Sequence, residues 1–564
     1  MRHTSATPQP HCESRDFQMG PMNRTPLPFL RPYLYGGLSP RARPEVARAY
    51  NAVRTRTLAA LSSESLGPLP VEKQIRIDTL RNHRPLASYH PRLEEVSSDS
   101  TAIPLRDFIS KYERIQETQP ELVDVFGQKL QVMLQEKNLP EQWRKENFVN
   151  VQKVMRRGDW VYFKGQPHRT KAGELSLLVK FPPQWLAPCL HHVPETVESV
   201  VTLARNPHVN QLTRKQPGDT LRLRAVIYAH IRKSLVRDGF LEVETPILDA
   251  KAGGAIARPF ETVANDISKT TIRLRIAPEL NLKRLIVGGQ DRIFEIGRAF
   301  RNEGIDNTHN PEFSTCEFYE VGATLPELME RTEKLINGLN SAVELHRPTS
   351  YPSLTKLEDI DFTTPFKQLR FIPTIEKATG MEIPPLRTEK TLDQLIAMFG
   401  KLRIPLPTNP TLPRLLETLA EIYIEPLCTD APTWITHHPE VLSPLAKSYS
   451  DVLSNGQVVA PRAELFIDGR EYVNTYEEEN SPFEQRKKFL AQLHHHPPES
   501  ESDREIDESY LEVLEWGMPP TGGWGCGLDR LVMLFACRRR IADVLPFGSL
   551  RHVVSLSRNS LSSQ

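Results

Sequence analysis

Between Arg292 and Tyr319 the chain reads RIFEIGRAFRNEGIDNTHNPEFSTCEFY, with apolar and polar residues alternating toward both ends of a polar middle. Alternation at period two sends successive side chains to opposite faces of an extended chain. The arms 292–303 and 309–319 are therefore predicted as two antiparallel strands joined by a loop. On the second arm Phe313, Thr315, Glu317 and Tyr319 then fall on one face. An aromatic ring, a carboxylate and a phenol beside Arg301 are costly to bury without a ligand. Taken alone, an Arg–Glu pair on a sheet fits a structural salt bridge equally, so other segments must decide.

Glu464-Leu-Phe-Ile-Asp-Gly-Arg-Glu471 runs into Asn474-Thr-Tyr-Glu-Glu-Glu-Asn480, where Asn474, Tyr476 and Glu478 share a face. Glu464 and Glu471 are seven apart and would point to opposite faces of a continuous strand. To share a metal they need a turn between them, and Asp468-Gly469 is the place for it. An exposed acidic hairpin is the plainer alternative. A third segment, Gly522-Gly-Trp-Gly-Cys-Gly-Leu-Asp-Arg-Leu-Val-Met-Leu-Phe535, leads from Gly522, Gly523, Gly525 and Gly527 into an apolar helical run with Arg530 in its first turn. Small residues let a flat ring approach the backbone, and a guanidinium reaches a ring face or a phosphate. No G-x-x-x-x-G-K-[ST] occurs, which excludes a P-loop nucleotide site.

Upstream, Leu223, Val226, Ile227, Ile231 and Leu235 recur at helical spacing, with Gly239 as a C-terminal cap. Phe240–Thr245 follows as a strand that Pro246 ends. From about 121 to 195 short alternating runs, Lys129–Met133, Asp159–Phe163 and Glu174–Val179, are bounded by Gly158, Gly165 and Gly173. They predict a small barrel. Eleven Lys/Arg against seven Asp/Glu between 121 and 180 suit an OB-fold that grips single-stranded nucleic acid. A structural or protein-binding barrel is the alternative. Residues 341–460 mix helices with proline-rich loops, and His494-His-His496 before prolines reads as a solvated loop.

A chain of 564 residues, 39% hydrophobic, has room for two to four domains. Its net charge of +1 means that any nucleic-acid contact must come from local basic surface. No run approaches the ~18 apolar residues of a membrane span. The six cysteines form no C-x-x-C pair, which argues against zinc or a disulfide framework. The first sixty residues carry nine arginines, no lysine and only Glu13, Asp16 and Glu45 as acids. Such a leader matches a mitochondrial transit peptide, with a basic tail of a cytosolic protein as the alternative.

The chemistry-bearing segments, in this order, resemble the signature motifs of class II aminoacyl-tRNA synthetases. Leu221–Pro246 supplies the helix–strand–proline motif that forms the dimer interface in that family. The closer likeness is to the lysyl-tRNA synthetases: Gly253-Gly-Ala255, Ile276-Ala-Pro-Glu-Leu280, Arg301-Asn-Glu-Gly-Ile305, His309-Asn-Pro-Glu-Phe313 and Ser443-Pro-Leu-Ala-Lys447 fit its phrases. It covers about 220–552 and reaches more loosely back to 120. It implies an α+β fold, a class II antiparallel sheet with flanking helices, preceded by an OB-like β-barrel. The implied division is an Arg-rich leader over 1–65, a helical extension over 66–120, an anticodon-binding barrel over 121–200 and a catalytic domain over 210–564. ATP, Mg²⁺, L-lysine and tRNA(Lys) are the implied ligands, for a homodimer without membrane attachment in the mitochondrial matrix or, alternatively, the cytoplasm.

The same resemblance implies roles. Arg301 and Arg530 would be catalytic, Arg301 binding the α-phosphate and the lysine carboxylate together and Arg530 lying over the ATP. Phe313 would stack on adenine, Glu303 read its amino group, and His309 contact phosphate or order the loop. Glu464 and Glu471 would hold Mg²⁺. Glu478 with Tyr319 would take the ε-ammonium of lysine and Tyr476 stack on its stem, while Glu279 and Glu317 take the α-ammonium, Asn474 the carboxylate, and Gly254 lines the lysine site. A substrate lacking the ε-charge would leave Glu478 buried and unpaired, at ~3–5 kcal/mol or roughly two to four decades of discrimination. Gln131 and Glu174 are the implied anticodon readers.

The chain departs from the family in three places. Asn281 replaces a tyrosine, and His437 an acidic residue. Phe108-Ile-Ser-Lys-Tyr112 leads almost directly to Val123, so the first barrel strand and its arginine are missing, which would leave an edge open. Two other functions remain compatible. One is a ligase that modifies a protein, whose relatives lack the barrel. The other is a non-catalytic RNA-binding protein on a retired synthetase fold, against which the presence of Arg301, Glu464, Glu471 and Arg530 counts.

Overall fold

The computed structural model describes residues 71–83, 90, 103–119, 123–127, 132–141, 148, 151, 153–251, 253, 257–267, 270–358, 360–495 and 506–559. The leader expected over 1–65, together with Gln131 and Gly254, lies outside the described residues. One unit ends at Asp78, and a second runs from Thr79 to Gln564. Everything below concerns the second. None of its described helices is long and apolar enough to cross a membrane.

The first sheet has six strands: β1 (Ile103–Pro104), β2 (Val123–Gly127), β3 (Val132–Met133), β4 (Trp160–Arg169), β5 (Leu175–Val179) and β6 (Gln184–Ala187). Their order is β1-β2-β4-β5-β3, with β6 also on β4. Val161, Phe163, Leu177 and Val179 face inward under Phe108 and Tyr112 of helix α1 (Leu105–Tyr112). Among the described residues no pairing joins β1 to β3, so the sheet curls without closing, as an OB-like barrel short of its first strand should. The edge of β2 is covered by β1, which pairs with it in parallel through Ile103↔Val125 and Pro104↔Phe126. Proline has no N–H to offer a further strand, so the stub also ends the sheet.

The second sheet has eight strands: β7 (Leu241–Glu242), β8 (Arg292–Phe300), β9 (Glu312–Val321), β10 (Lys367–Arg370), β11 (Thr433–Thr436), β12 (Arg462–Ile467), β13 (Arg470–Glu477) and β14 (Thr521–Gly527). Their order is β10-β11-β12-β13-β14-β9-β8-β7. Only the outermost pairs, β7–β8 and β10–β11, are parallel. Helices α2 (Gln216–Arg237), α4 (Leu325–Ser350) and α7 (Leu528–Phe535) cover one face, α3 (Glu279–Val287), α5 (Pro482–His495) and α6 (Glu508–Glu515) lying elsewhere. Leu223, Ile227, Ile231 and Leu235 of α2 pack there on Phe294, Phe318 and Trp524, and the Phe318 and Trp524 rings stack at 4.8 Å. This core accounts for the helical spacing of apolar residues in α2 and for one half of the alternation in β8 and β9. The other half faces a cavity.

Three expectations need adjusting. The strand expected over Phe240–Thr245 shortens to β7, because Thr245 turns away to donate its N–H and hydroxyl to Glu295 Oε2 at 3.1 and 2.7 Å. The arms of the central hairpin stop at Phe300 and start at Glu312, and Arg301 N–H donates to Pro311 O at 2.8 Å to close the loop. His494 and His495 are the last turn of α5 rather than a loop.

Gly239 ends α2 at φ +84° and gives its N–H to Val236 O at 3.1 Å. Gly239→Ala forces a side chain into that left-handed backbone and is expected to cost about 1–2 kcal/mol. Urea unfolding of the purified chain measures it, and an unchanged midpoint would contradict the strain.

Candidate active site

The cavity, about 530 Å³, opens on the face of the second sheet opposite α2, α4 and α7. Its floor is β14, paired with β9 on one side and β13 on the other. Gly525 lies between Glu317 and Asn474, and Gly523 between Tyr319 and Tyr476. Two rows of functional side chains thus rise on either side of a strand that has none, and the result is a trough. At Gly523 a methyl group would collide with the Glu478 carboxylate and come within 2.8 Å of the Tyr319 ring. The glycine-rich run is therefore read here as space for a ligand and for its neighbours' side chains.

Phe313, Thr315, Glu317 and Tyr319 of β9 all line the cavity, as the period-two reading expected. Arg301 reaches it from the end of β8 with its guanidinium 5.1 Å from the Phe313 ring centre and Nε 3.3 Å from Ile276 O. No described carboxylate lies within ion-pair distance of Arg301. Glu303 and His309 sit in the loop between the strands and line the mouth. His309 Nδ1 is 2.8 Å from Asp306 Oδ2, and Arg530 Nη2 donates to His309 Nε2 at 2.9 Å. Arg530 also donates from Nη1 to Glu471 O at 2.9 Å and stands 3.4 Å from Glu471 Oε2.

β12 and β13 bring Glu464, Glu471, Asn474, Tyr476 and Glu478 to the cavity together. The turn Asp468-Gly469, both at positive φ, sets Glu471 opposite Phe466 and hence on the face of Glu464. An odd and an even position of β13 then share that face because the ladder slips between Leu465 and Phe466, which pair with Val473 and Glu471 and leave Tyr472 as the extra residue of a bulge.

Several lining or contacting groups carry no motif and escaped the sequence reading. Arg462 ion-pairs with Glu464 and donates from Nε to Asn474 Oδ1 at 2.9 Å. The only signal was its position two residues before Glu464 on the same face. His438 Nε2 holds the other Glu464 oxygen at 3.2 Å. Lys283, fully buried in α3, ion-pairs with Glu279 at 2.6 Å and with Glu478. Glu279 Oε1 also accepts the Tyr476 hydroxyl at 2.7 Å, and Tyr319 OH donates to Glu317 Oε2 at 3.2 Å. Of the expected anticodon readers, only Glu174 is described: it stands exposed in the β4–β5 turn, away from the cavity.

Burial and the nearby Glu279 push the Glu317 carboxyl up to about 8, with Tyr319 and Arg301 opposing. Burial would raise Glu464 as well, but Arg462 and His438 outweigh it and bring the group down to about 2. Glu471 is raised by burial and by the charge on Glu464, against Arg530 and Arg462. Two carboxylates that oppose each other's ionisation on one face make a hard-oxygen donor set suited to Mg²⁺. Among the described residues no cluster of three or more His, Cys, Asp or Glu is arranged to hold a metal.

An antiparallel sheet with a hairpin arginine, an acidic hairpin and a glycine strand running into an arginine-bearing helix defines a class II tRNA synthetase. The model of the tRNA synthetases class II (D, K and N) matches residues 200–551, and the chain belongs to that family. Within it, the similar proteins are lysine–tRNA ligases. The mitochondrial lysine–tRNA ligase of Schizosaccharomyces pombe is 39% identical over 433 residues, 76% of this chain and 80% of that one. The probable cytoplasmic lysine–tRNA ligase of Encephalitozoon cuniculi is 35% identical over 480 residues, 82% and 91% of the two chains. Lysine–tRNA ligase 1 of Mycoplasmopsis pulmonis is 36% identical over 426 residues, 75% and 82%.

Proposed function

We propose that the cavity joins L-lysine to tRNA(Lys) at the expense of ATP, in the presence of Mg²⁺. The observation that carries this is Glu478, fully buried in the trough, whose Oε1 has no hydrogen-bond partner among the described residues. A buried acceptor left open is costly unless a cationic ligand completes it. The ε-ammonium fits there, with Tyr319 beside it and Tyr476 along the stem. Glu279 and Glu317 take the α-ammonium, and Asn474, fixed by Arg462, the carboxylate.

The lysine carboxylate is itself the nucleophile. It attacks the α-phosphorus of ATP, pyrophosphate leaves, and no side-chain base is needed. Arg301 draws carboxylate and α-phosphate together and stabilises the charge that develops between them. Phe313 offers its ring to the adenine and Glu303 an acceptor to the adenine amino group, while Arg530 covers the nucleotide with His309 as its support. Glu464 and Glu471 would hold Mg²⁺, which supplies charge neutralisation to the polyphosphate. A terminal ribose hydroxyl of the tRNA then attacks the acyl carbon and AMP departs. Lysine-dependent exchange of labelled pyrophosphate into ATP, followed by charging of tRNA(Lys), tests the reading. Exchange driven by aspartate or asparagine, or none with lysine, overturns it.

The division into a leader (1–65), a helical extension (66–120), an anticodon-binding barrel (121–200) and a catalytic domain (210–564) belongs to the same proposal, with Glu174 exposed toward an anticodon base. Leu241 on the edge strand β7, with Leu248, Val263 and Ile267 nearby in sequence, leaves large apolar groups exposed. A second copy of the chain covers them, and light scattering should report a dimer. The arginine-rich leader favours the mitochondrial matrix. Imaging of the full chain against one starting at residue 66 checks this, and identical cytosolic staining overturns it.

Lysine binding should depend on pH through Glu317. Its carboxyl, raised to about 8, carries a proton in the free enzyme at neutral pH, and an incoming ammonium must expel it. Affinity for lysine therefore rises with pH, by up to about tenfold per unit between roughly 6 and 8, and flattens above. Calorimetry in buffers of different ionisation enthalpy should show proton release near pH 7. A dissociation constant flat from pH 6 to 9 would contradict it.

A further inference from the structure

Among the described residues Lys283 is the one fully buried lysine that touches the trough's carboxylates, and no role in the reaction falls to it. Its ammonium lies 2.6 Å from Glu279 Oε1, contacts Glu478 Oε2, and stands 5.8 Å from the centre of the Tyr476 ring. These are the groups assigned above to the two ammoniums of the substrate. Each carboxylate therefore gives Lys283 one oxygen. The other oxygen of Glu478 is left open against Gly523, where a methyl group would collide with it.

We infer that Lys283 is a positioning and specificity-determining residue, a built-in countercharge that opposes protonation of Glu478 and aims it, together with Glu279, at the ammoniums of substrate lysine. The inference rests on the assignment of Glu478 to the ε-ammonium. Three carboxylates, Glu279, Glu317 and Glu478, crowd a region almost without water, and like charges in such a place hold their protons. Burial holds the Glu478 carboxyl well above the usual carboxylate range, with Glu279 and Glu317 adding to the push, and Lys283, in direct contact with it, is the group that draws it back down. Glu279 and Glu478 in turn keep Lys283 charged against its own burial. The other groups facing the cluster are Tyr319 and Glu317 from β9, Tyr476 from β13, Tyr510 from α6, and Glu295 from β8. Glu295 is already paired with Arg275 at 2.5 Å. Arg301 acts on Glu317, but among the described residues no cation other than Lys283 pairs with Glu478. Without Lys283 the proton would settle on Glu478, and a neutral acid at the end of the trough has little to offer an ammonium.

The test compares Lys283→Met, Lys283→Arg and Glu478→Gln with the unaltered full chain in lysine-dependent pyrophosphate exchange from pH 6.5 to 9.5. Lys283→Met, similar in length but uncharged, should raise KM for lysine about tenfold or more at pH 7 with kcat much less affected. The pH profile of kcat/KM should move to the alkaline side by about one unit, so that much of the loss is recovered at high pH. Lys283→Arg keeps the charge and should keep the profile even if its bulk lowers the rate. If Lys283 only supports packing, Lys283→Met will lower thermal stability and leave the pH profile in place, which overturns the inference. If Glu478→Gln leaves KM for lysine unchanged, the assignment of Glu478 itself fails. If Glu478→Gln raises KM while Lys283→Met does not, Lys283 alone is misassigned.

Discussion

Arg301→Ala is expected to reduce lysine-dependent pyrophosphate exchange by roughly two to three orders of magnitude, the usual loss when one preorganised charge-stabilising donor is removed. The magnitude follows from how little Arg301 does for the fold. Its side-chain contacts among the described residues are a 3.3 Å hydrogen bond to Ile276 O and the face of Phe313, together worth about 1–2 kcal/mol. A guanidinium without a carboxylate partner inside a cavity lined by Glu317 and Glu471 is stored charge, and its use comes when the polyphosphate arrives. The loss should fall mainly on kcat, because the negative charge between carboxylate and α-phosphate grows toward the transition state. Single-turnover adenylate formation, with circular dichroism as a check on folding, measures it. A loss below tenfold would remove Arg301 from the chemistry.

Glu478→Gln is expected to cost about two to three decades in kcat/KM for lysine and to narrow the preference for lysine over norleucine, which has the same stem without the charge. The carboxylate is fully buried, so the ammonium it receives has been stripped of water and recovers that energy only from an anion. Glutamine keeps the shape and one acceptor, which limits the damage to packing. Norleucine should lose far less than lysine, because with wild type it leaves the Glu478 oxygen not held by Lys283 unanswered, whereas lysine loses a charge partner in the variant. Equal losses for the two amino acids would mean that Glu478 shapes the trough without reading the ε-charge.

Much of this site was legible because its side chains obey strand periodicity. Phe313, Thr315, Glu317 and Tyr319 share a face in sequence and share the cavity in the fold. So do Asn474, Tyr476 and Glu478. Helix α2 was legible for the matching reason, since its stripe of Leu223, Ile227, Ile231 and Leu235 packs on one side of the sheet. What escaped were effects that depend on the partner strand or on distance. The bulge at Tyr472 comes from pairing with β12 and leaves no mark in the local pattern. Lys283 sits in a helical run and looks like a surface lysine until Glu478, nearly two hundred residues later, is folded against it. Arg462 and His438 are ordinary polar residues whose meaning appears only once both hold Glu464. The edge stub β1 had no signal at all, being two residues long.

The glycine strand also limits how such an enzyme can change its amino acid. A substitution at Gly523 strikes Glu478 and Tyr319, so the deep end admits no remodelling from below. At Gly525 a methyl group would meet Glu317 Cγ at 3.6 Å and Asn474 O at 3.9 Å, both ordinary contacts, and could be accommodated. The bed of the channel can thus be raised at one point, which favours shorter or slimmer guests, and it can be lowered nowhere. Any drift toward a different residue must be written in the banks, on β9 and β13, while the strand between them stays bare.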